Sequence, residues 1–151
     1  DKKHLFTLAG EDKMFSAGKS TSIIDYKGWK ICPLICYDLR FPIWARNTCN
    51  YDLLLYVASW PTPRIEAWNT LLKARAIENM SYTIGVNRVG KDGNAIDYTG
   101  NSEVINPKGD AISSITANKN CAATSNLSLT ELNDFRAKFP VDMDADGFEI
   151  L

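Results

Sequence analysis

Two short apolar runs, Ile31-Cys32-Pro33-Leu34-Ile35-Cys36 and Leu53-Leu54-Leu55-Tyr56-Val57-Ala58, constrain this chain more than anything else in it. The second, entered through Asp52, is the short and nearly continuous kind that a sheet buries on both faces. The first stops abruptly at a polar, turn-prone stretch, Tyr37-Asp38-Leu39-Arg40-Phe41-Pro42. The sulfur of Cys36 should therefore emerge where a strand gives way to a turn. A thiol at such an elbow can meet solvent while the backbone N–H of Tyr37 points at the same spot and could hold a developing oxyanion. Position alone fits a buried packing thiol equally well.

Around these runs the pattern reads as alternating strands and helices. Ser22 to Tyr26, then Lys27-Gly28, then Trp29 to Ile35 predicts a hairpin whose second strand delivers Cys36. Pro42 to Asn47 predicts a short helix opening on proline. Thr62-Pro63 is a cap followed by a first-turn proline, and Ile65, Trp68, Leu72, Arg75, Ala76 and Asn79 recur at helical spacing, so a helix should run to about Met80. Tyr82 to Arg88 predicts a strand and Gly90 to Gly93 a tight turn. Glu103 to Ile105 predicts a strand ended by Asn-Pro-Lys-Gly, and Ala111 to Thr116 and Ala122 to Leu127 two more. Thr130 is the expected cap of a last helix, Glu131 to Lys138. The class is α/β with a mixed sheet.

Charge excludes several functions. Lys plus Arg is 17 and Asp plus Glu is 18, and no stretch gathers enough basic residues to neutralise a phosphate backbone, so nucleic acid is not an expected partner. The longest apolar runs fall far short of the roughly twenty residues of a membrane helix, and no membrane partner is expected. The four cysteines, Cys32, Cys36, Cys49 and Cys121, show no CxxC spacing and no neighbouring histidine, against zinc or a redox pair. On one strand Cys32 and Cys36 would share a face but lie roughly 13 Å apart, too far for a disulfide. Reduced thiols and a cytoplasmic location are expected.

Several motifs taken together are more specific. Lys2-x-His4-Leu5-Phe6, the LAGED run containing Glu11, CYDLRFPIWARN from Cys36, YDLLLYVASWP from Tyr51, RAxEN at the end of Ala67 to Asn79, and FPVDMDADGF from Phe139 resemble the carbon–nitrogen hydrolase (nitrilase) superfamily, closest to its bacterial ω-amidase branch. The resemblance implies a nitrilase-like αββα sandwich, of which residues 1–151 would be the C-terminal portion of a single domain. An N-terminal segment of the same protein would complete it, and homodimers would extend it to αββααββα. It also implies Cys36 as nucleophile, Lys2 as stabiliser of the tetrahedral intermediate and Glu11 as the further glutamate. The general-base glutamate would lie upstream of Asp1. Neither cofactor nor metal is implied.

The same resemblance makes the substrate a small amide: the terminal amide of a dicarboxylic monoamide such as 2-oxoglutaramate, cleaved through a Cys36 thioester. A nitrile or N-carbamoyl substrate on the same fold, or a non-catalytic scaffold, are the alternatives. Lys2 is expected to lower the pKa of Cys36. Trp60, just after the apolar strand, would wall the pocket, and Arg64 would meet a substrate carboxylate. Taken singly, Lys2 reads equally as surface charge, Glu11 as a loop carboxylate and Arg64 as a surface residue. His4 reads as a structural hydrogen-bonder, Asp38 and Arg40 as partners of each other or of the next helix, and Arg75 with Glu78 as a helix-bracing ion pair. Gly10 and Gly18 would make Thr7 to Gly18 a partly mobile border of the site.

Overall fold

A computed structural model describes residues 1–149; Ile150 and Leu151, the end of the expected 1–151 domain, lie outside the described residues. Five strands form the main sheet: β1 (Ile24–Tyr26), β2 (Trp29–Ile35), β3 (Leu53–Ala58), β4 (Tyr82–Asn87) and β7 (Glu103–Ile105), in the order β1-β2-β3-β4-β7. The inner pairs β2·β3 and β3·β4 are parallel and the outer pairs antiparallel, so the sheet is mixed. A two-stranded ribbon, β5 (Val89–Lys91) with β6 (Asp97–Thr99), stands apart. The helices are α1 (Pro42–Ala45), α2 (Ile65–Glu78) and α3 (Leu129–Lys138).

Local chemistry accounts for much of this. Lys27 and Gly28 both take positive φ, 49° and 83°, the geometry of a two-residue hairpin turn that follows the twist of its strands. Pro33, which has no N–H to give, lies in β2 beyond the last β1 pair at Ile31, where that edge is open. Pro42 opens α1 behind an extended Phe41. The face of α2 carrying Trp68, Leu72 and Ala76 packs with Cys32, Leu34, Leu54 and Tyr56 of the sheet. It comes so near that a Cβ on Gly85 would sit 2.4 Å from Leu72 Cδ1 and 2.7 Å from the Trp68 ring. That closeness is why β4 carries glycine at its centre.

The opposite face of the sheet is only half covered, which corrects the expectation that β3 is buried on both faces. Its lower end, Ile31, Leu53, Tyr82 and Ile84, packs with Leu132, Leu127 and Leu129 from α3 and the segment before it. Its upper end is open: Ile35, Val57 and Val86, neighbours in the register, are 37%, 48% and 48% exposed. Other expectations also need correction. Ala111 to Thr116 and Ala122 to Leu127 are irregular, with only a lone bridge from Ile105 to Ala111. Their side chains are largely exposed and lack the apolar face that would hold a strand. Gly90, expected in a turn, lies within β5, and the turn falls at Asp92–Ala95. Ser128, not Thr130, caps α3, accepting from Glu131 N at 3.2 Å. Thr62 caps nothing; a 3-10 turn, Thr62–Arg64, precedes α2, and the Thr62 hydroxyl donates to Asp97 O at 2.9 Å.

Candidate active site

The parallel strands β2 and β3 end side by side, and where β2 ends the chain turns into a 3-10 segment, Cys36–Arg40. Cys36 takes φ 45°, a left-handed conformation that costs a non-glycine residue about 1 kcal/mol. The surroundings hold it there. Asp38, fully buried, accepts from Ile35 N at 3.2 Å, so the residue before Cys36 is tied to the residue two after it. From beneath, the buried Arg75 donates to Leu39 O and to Glu78 Oε1, both at 2.7 Å. The expected helix-bracing ion pair is thus also a prop for the elbow.

An open cleft of about 1070 Å³ lies over Cys36, and Lys2, Glu11, Tyr37, Trp60 and Arg64 all line it. Every residue expected at the site therefore borders one cavity. Lys2, 13% exposed in its side chain, donates to Glu11 Oε2, which also accepts from Phe6 N at 2.8 Å. Burial pushes the Glu11 carboxyl up, but the bonds from Lys2 and Phe6 outweigh it and hold Glu11 below its ordinary value. It is an ionised partner for Lys2.

At the thiol the expected influence of Lys2 meets a stronger opposing one. Burial raises the pKa of Cys36 above its ordinary value; an N–H from Ser59 and the charge of Lys2 lower it, Glu11 and Asp38 raise it, and the net direction is upward. Lys2 does favour the thiolate, yet desolvation wins. Cys36 at neutral pH is a thiol rather than a thiolate. The Ser59 contact went unseen in the sequence because it is made by a backbone; its only signal is that Ser59 follows the strand paired parallel to β2.

Trp60 is 3% exposed, and its indole N–H donates to Arg64 O at 2.7 Å, so it shapes the loop bearing Arg64 as well as walling the cleft. The exposed Arg64 guanidinium lies 5.2 Å over the Phe6 ring. Arg40 does not pair with Asp38; it sits 5.1 Å over the Trp60 ring. His4 is the structural hydrogen-bonder expected, but its partner is Asp38, at 2.9 Å from both His4 N and Nδ1. The β5–β6 ribbon adds a wall that the sequence reading missed, with Asp92, Asn94, Ile96 and Tyr98 at the cleft. The border segment carries two 3-10 turns, Thr7–Ala9 and Glu11–Lys13, and is pinned at one end by Gly18 N on Lys2 O at 2.7 Å. All four cysteines are free. Among the described residues no helix is long and apolar enough to cross a membrane.

Residues 1–136 match the family model described as carbon-nitrogen hydrolase. The chain is 50% identical over 150 residues to the omega-amidase YafV of Escherichia coli, covering 99% of this chain and 59% of that protein. It is 40% identical over 110 residues to the 2-oxoglutaramate amidase of Bacillus subtilis, covering 72% of this chain and 42% of that one. A solved structure from Xanthomonas campestris, a CN-hydrolase superfamily protein with an arsenic adduct in its active site, superposes with a TM-score of 0.95 at 42% identity, over 100% of this chain and 60% of that one. The chain thus spans 59% of the length of the Escherichia coli relative.

Proposed function

This chain belongs to the carbon–nitrogen hydrolase family, and from that premise we propose that it carries the nucleophile of an amidase acting on the terminal amide of a dicarboxylic monoamide, with 2-oxoglutaramate as the substrate type. The observation that carries the reading is the strained Cys36 elbow opening into the same cleft as the Lys2–Glu11 pair. The relatives named for omega-amidase and 2-oxoglutaramate amidase activity support the substrate class.

The raised thiol pKa defines the first step. A carboxylate base takes the Cys36 proton as the sulfur attacks the amide carbon. Glu11, held ionised by Lys2 and Phe6, is occupied with those partners, so the base is proposed to be a glutamate outside residues 1–151. The carbonyl oxygen becomes an oxyanion facing the Lys2 ammonium and the Tyr37 N–H. Collapse breaks the C–N bond, the base returns its proton to the leaving nitrogen, and ammonia departs from a Cys36 thioester. Water, deprotonated by the same base, attacks the thioester; the second collapse releases the acid and restores the thiol. Arg64, exposed over Phe6 at the cleft wall, would hold the substrate's distal carboxylate, with Trp60 fixing its loop.

The upper sheet face, open at Ile35, Val57 and Val86, supports a further part of the proposal: a second sheet from the same protein covers it and completes the αββα sandwich. A cytoplasmic homodimer belongs to the same reading, and four free thiols fit a reducing compartment. Ammonia release from 2-oxoglutaramate by the full-length protein, with acid-quenched mass spectrometry of the Cys36 peptide, tests it. Turnover with a trapped acyl group on Cys36, lost in Cys36→Ala, is expected. Turnover that survives Cys36→Ala would refute the assignment, and faster ammonia release from a nitrile would replace the substrate class.

A further inference from the structure

The two sides of this site come from segments more than thirty residues apart, the stretch bearing Lys2 and the elbow bearing Cys36, and one buried carboxylate touches both. Asp38 has no exposed surface. Its Oδ1 accepts from His4 N and lies 2.9 Å from His4 Nδ1, while its Oδ2 accepts from Ile35 N. Ile35 immediately precedes the nucleophile; His4 is two residues from the lysine. The His4 ring is also gripped by the elbow, stacked on Phe41 with centroids 3.6 Å apart and planes 5° apart, and set edge-on to Trp44. Lys2 is then held at its backbone by Gly18 N on Lys2 O and at its tip by Glu11. A buried carboxylate with three donors from two segments is costly to place and stiff once placed.

We propose that Asp38 is a positioning residue: by bonding His4 with one oxygen and Ile35 with the other, it sets where the Lys2 ammonium stands relative to the Cys36 sulfur. Its own charge opposes the thiolate, as the upward influence of Asp38 on Cys36 requires, so its value to the site lies in geometry rather than field. An asparagine would keep the shape but turn an NH2 group toward one of the two sets of donors. Either the elbow or the Lys2 segment must then shift. For the chemistry this inference rests on the amidase reading, but its central measurement does not need turnover.

A double-mutant cycle on the full-length protein separates placement from charge and from stability. The rate of Cys36 alkylation by iodoacetamide, resolved from Cys49 and Cys121 by peptide mapping, is compared in wild type, Asp38→Asn, Lys2→Met and the double variant. Removing the Asp38 charge alone changes the rate by the same factor with or without Lys2. If Asp38 places Lys2, the factor for Asp38→Asn in the presence of Lys2 falls below that in its absence by about tenfold. Equal factors overturn the inference. Should Asp38→Asn fail to fold, His4→Phe, which keeps the stack on Phe41 and removes only the ring donor, enters the same cycle with an expected coupling of about threefold. Equal factors there overturn it too. In turnover, Asp38→Asn should lower kcat about tenfold with KM within about twofold, and that loss should vanish in the Lys2→Met background. Coupling in alkylation without any turnover by wild type would leave the inference standing and remove the amidase reading; turnover without coupling would do the reverse.

Discussion

At Cys36 burial, a backbone donor, one cation and two anions act on a single sulfur, and burial prevails. The midpoint of its alkylation against pH should therefore lie above the ordinary 9.0, and Lys2→Met should move it higher still, because the cation is one of the influences holding it down. A midpoint below 9.0 would mean that the cleft is wetter than it looks here. In the proposed mechanism Lys2 acts chiefly on the transition state. In the full-length protein Lys2→Met should cut kcat by about a hundredfold or more with little loss of substrate binding, since the oxyanion exists only after attack. Ammonia release measures this, and equal rates would remove Lys2 from the mechanism. Glu11→Gln should lower turnover by more than about tenfold while the fold persists, as it frees the lysine from its charged partner.

Among the elements, the 3-10 turn at Cys36–Arg40 stores conformational cost at Cys36, the proposed nucleophile. Cys36→Gly should consequently be more stable than Cys36→Ala by about 1 kcal/mol, because glycine reaches φ 45° without the Cβ penalty. Urea unfolding of the two variants checks it; the reverse order would show that the elbow is relaxed. The strands and helices near this turn were legible because their signals are local: a proline at a helix start, two turn residues between apolar runs, apolar side chains at helical spacing. The β5–β6 ribbon was not. Asp92 builds its turn by accepting from Asn94 N, Ile96 N and the Tyr98 hydroxyl, a set of bonds that Lys91-Asp92-Gly93-Asn94 does not distinguish from an ordinary tight turn. The misread strands at Ala111 to Leu127 fail for a different reason: β7 offers a lone bridge from Ile105 to Ala111 and accepts Ile112 N at Val104 O at 2.8 Å, and beyond that contact the largely exposed side chains give no apolar face to extend the pairing.

For the whole molecule the open upper face of the sheet is the decisive feature. If it is covered in the full-length protein, Val57→Lys should destabilise by about 2 kcal/mol or more, through an unpaired buried charge, whereas a face in contact with water would tolerate it within about 0.5 kcal/mol. Thermal or urea unfolding distinguishes these outcomes. The lower face makes an internal comparison. There α3 already covers Leu53 and Tyr82, and Arg136 anchors it by donating to Met80 O, Asp52 Oδ1 and Tyr51 O between 2.7 and 3.0 Å.

Residue order alone determined the hairpin and the elbow that made Cys36 a candidate, because backbone preference and periodicity are properties of neighbours along the chain, while Lys2 and Glu11 became candidates only through the family resemblance of their motifs. Tertiary structure decided the rest. That Asp38 belongs to His4 rather than to Arg40, that Ser59 reaches the Cys36 sulfur, and that Arg75 props the elbow all depend on segments brought together by the pairing of β2 with β3 and by α2 packing on them. The state of the thiol is the clearest case. Charge counted along the sequence put a lysine beside it and pointed downward; the folded protein half-buries the sulfur at the floor of its cleft, and that loss of solvation outweighs one nearby cation.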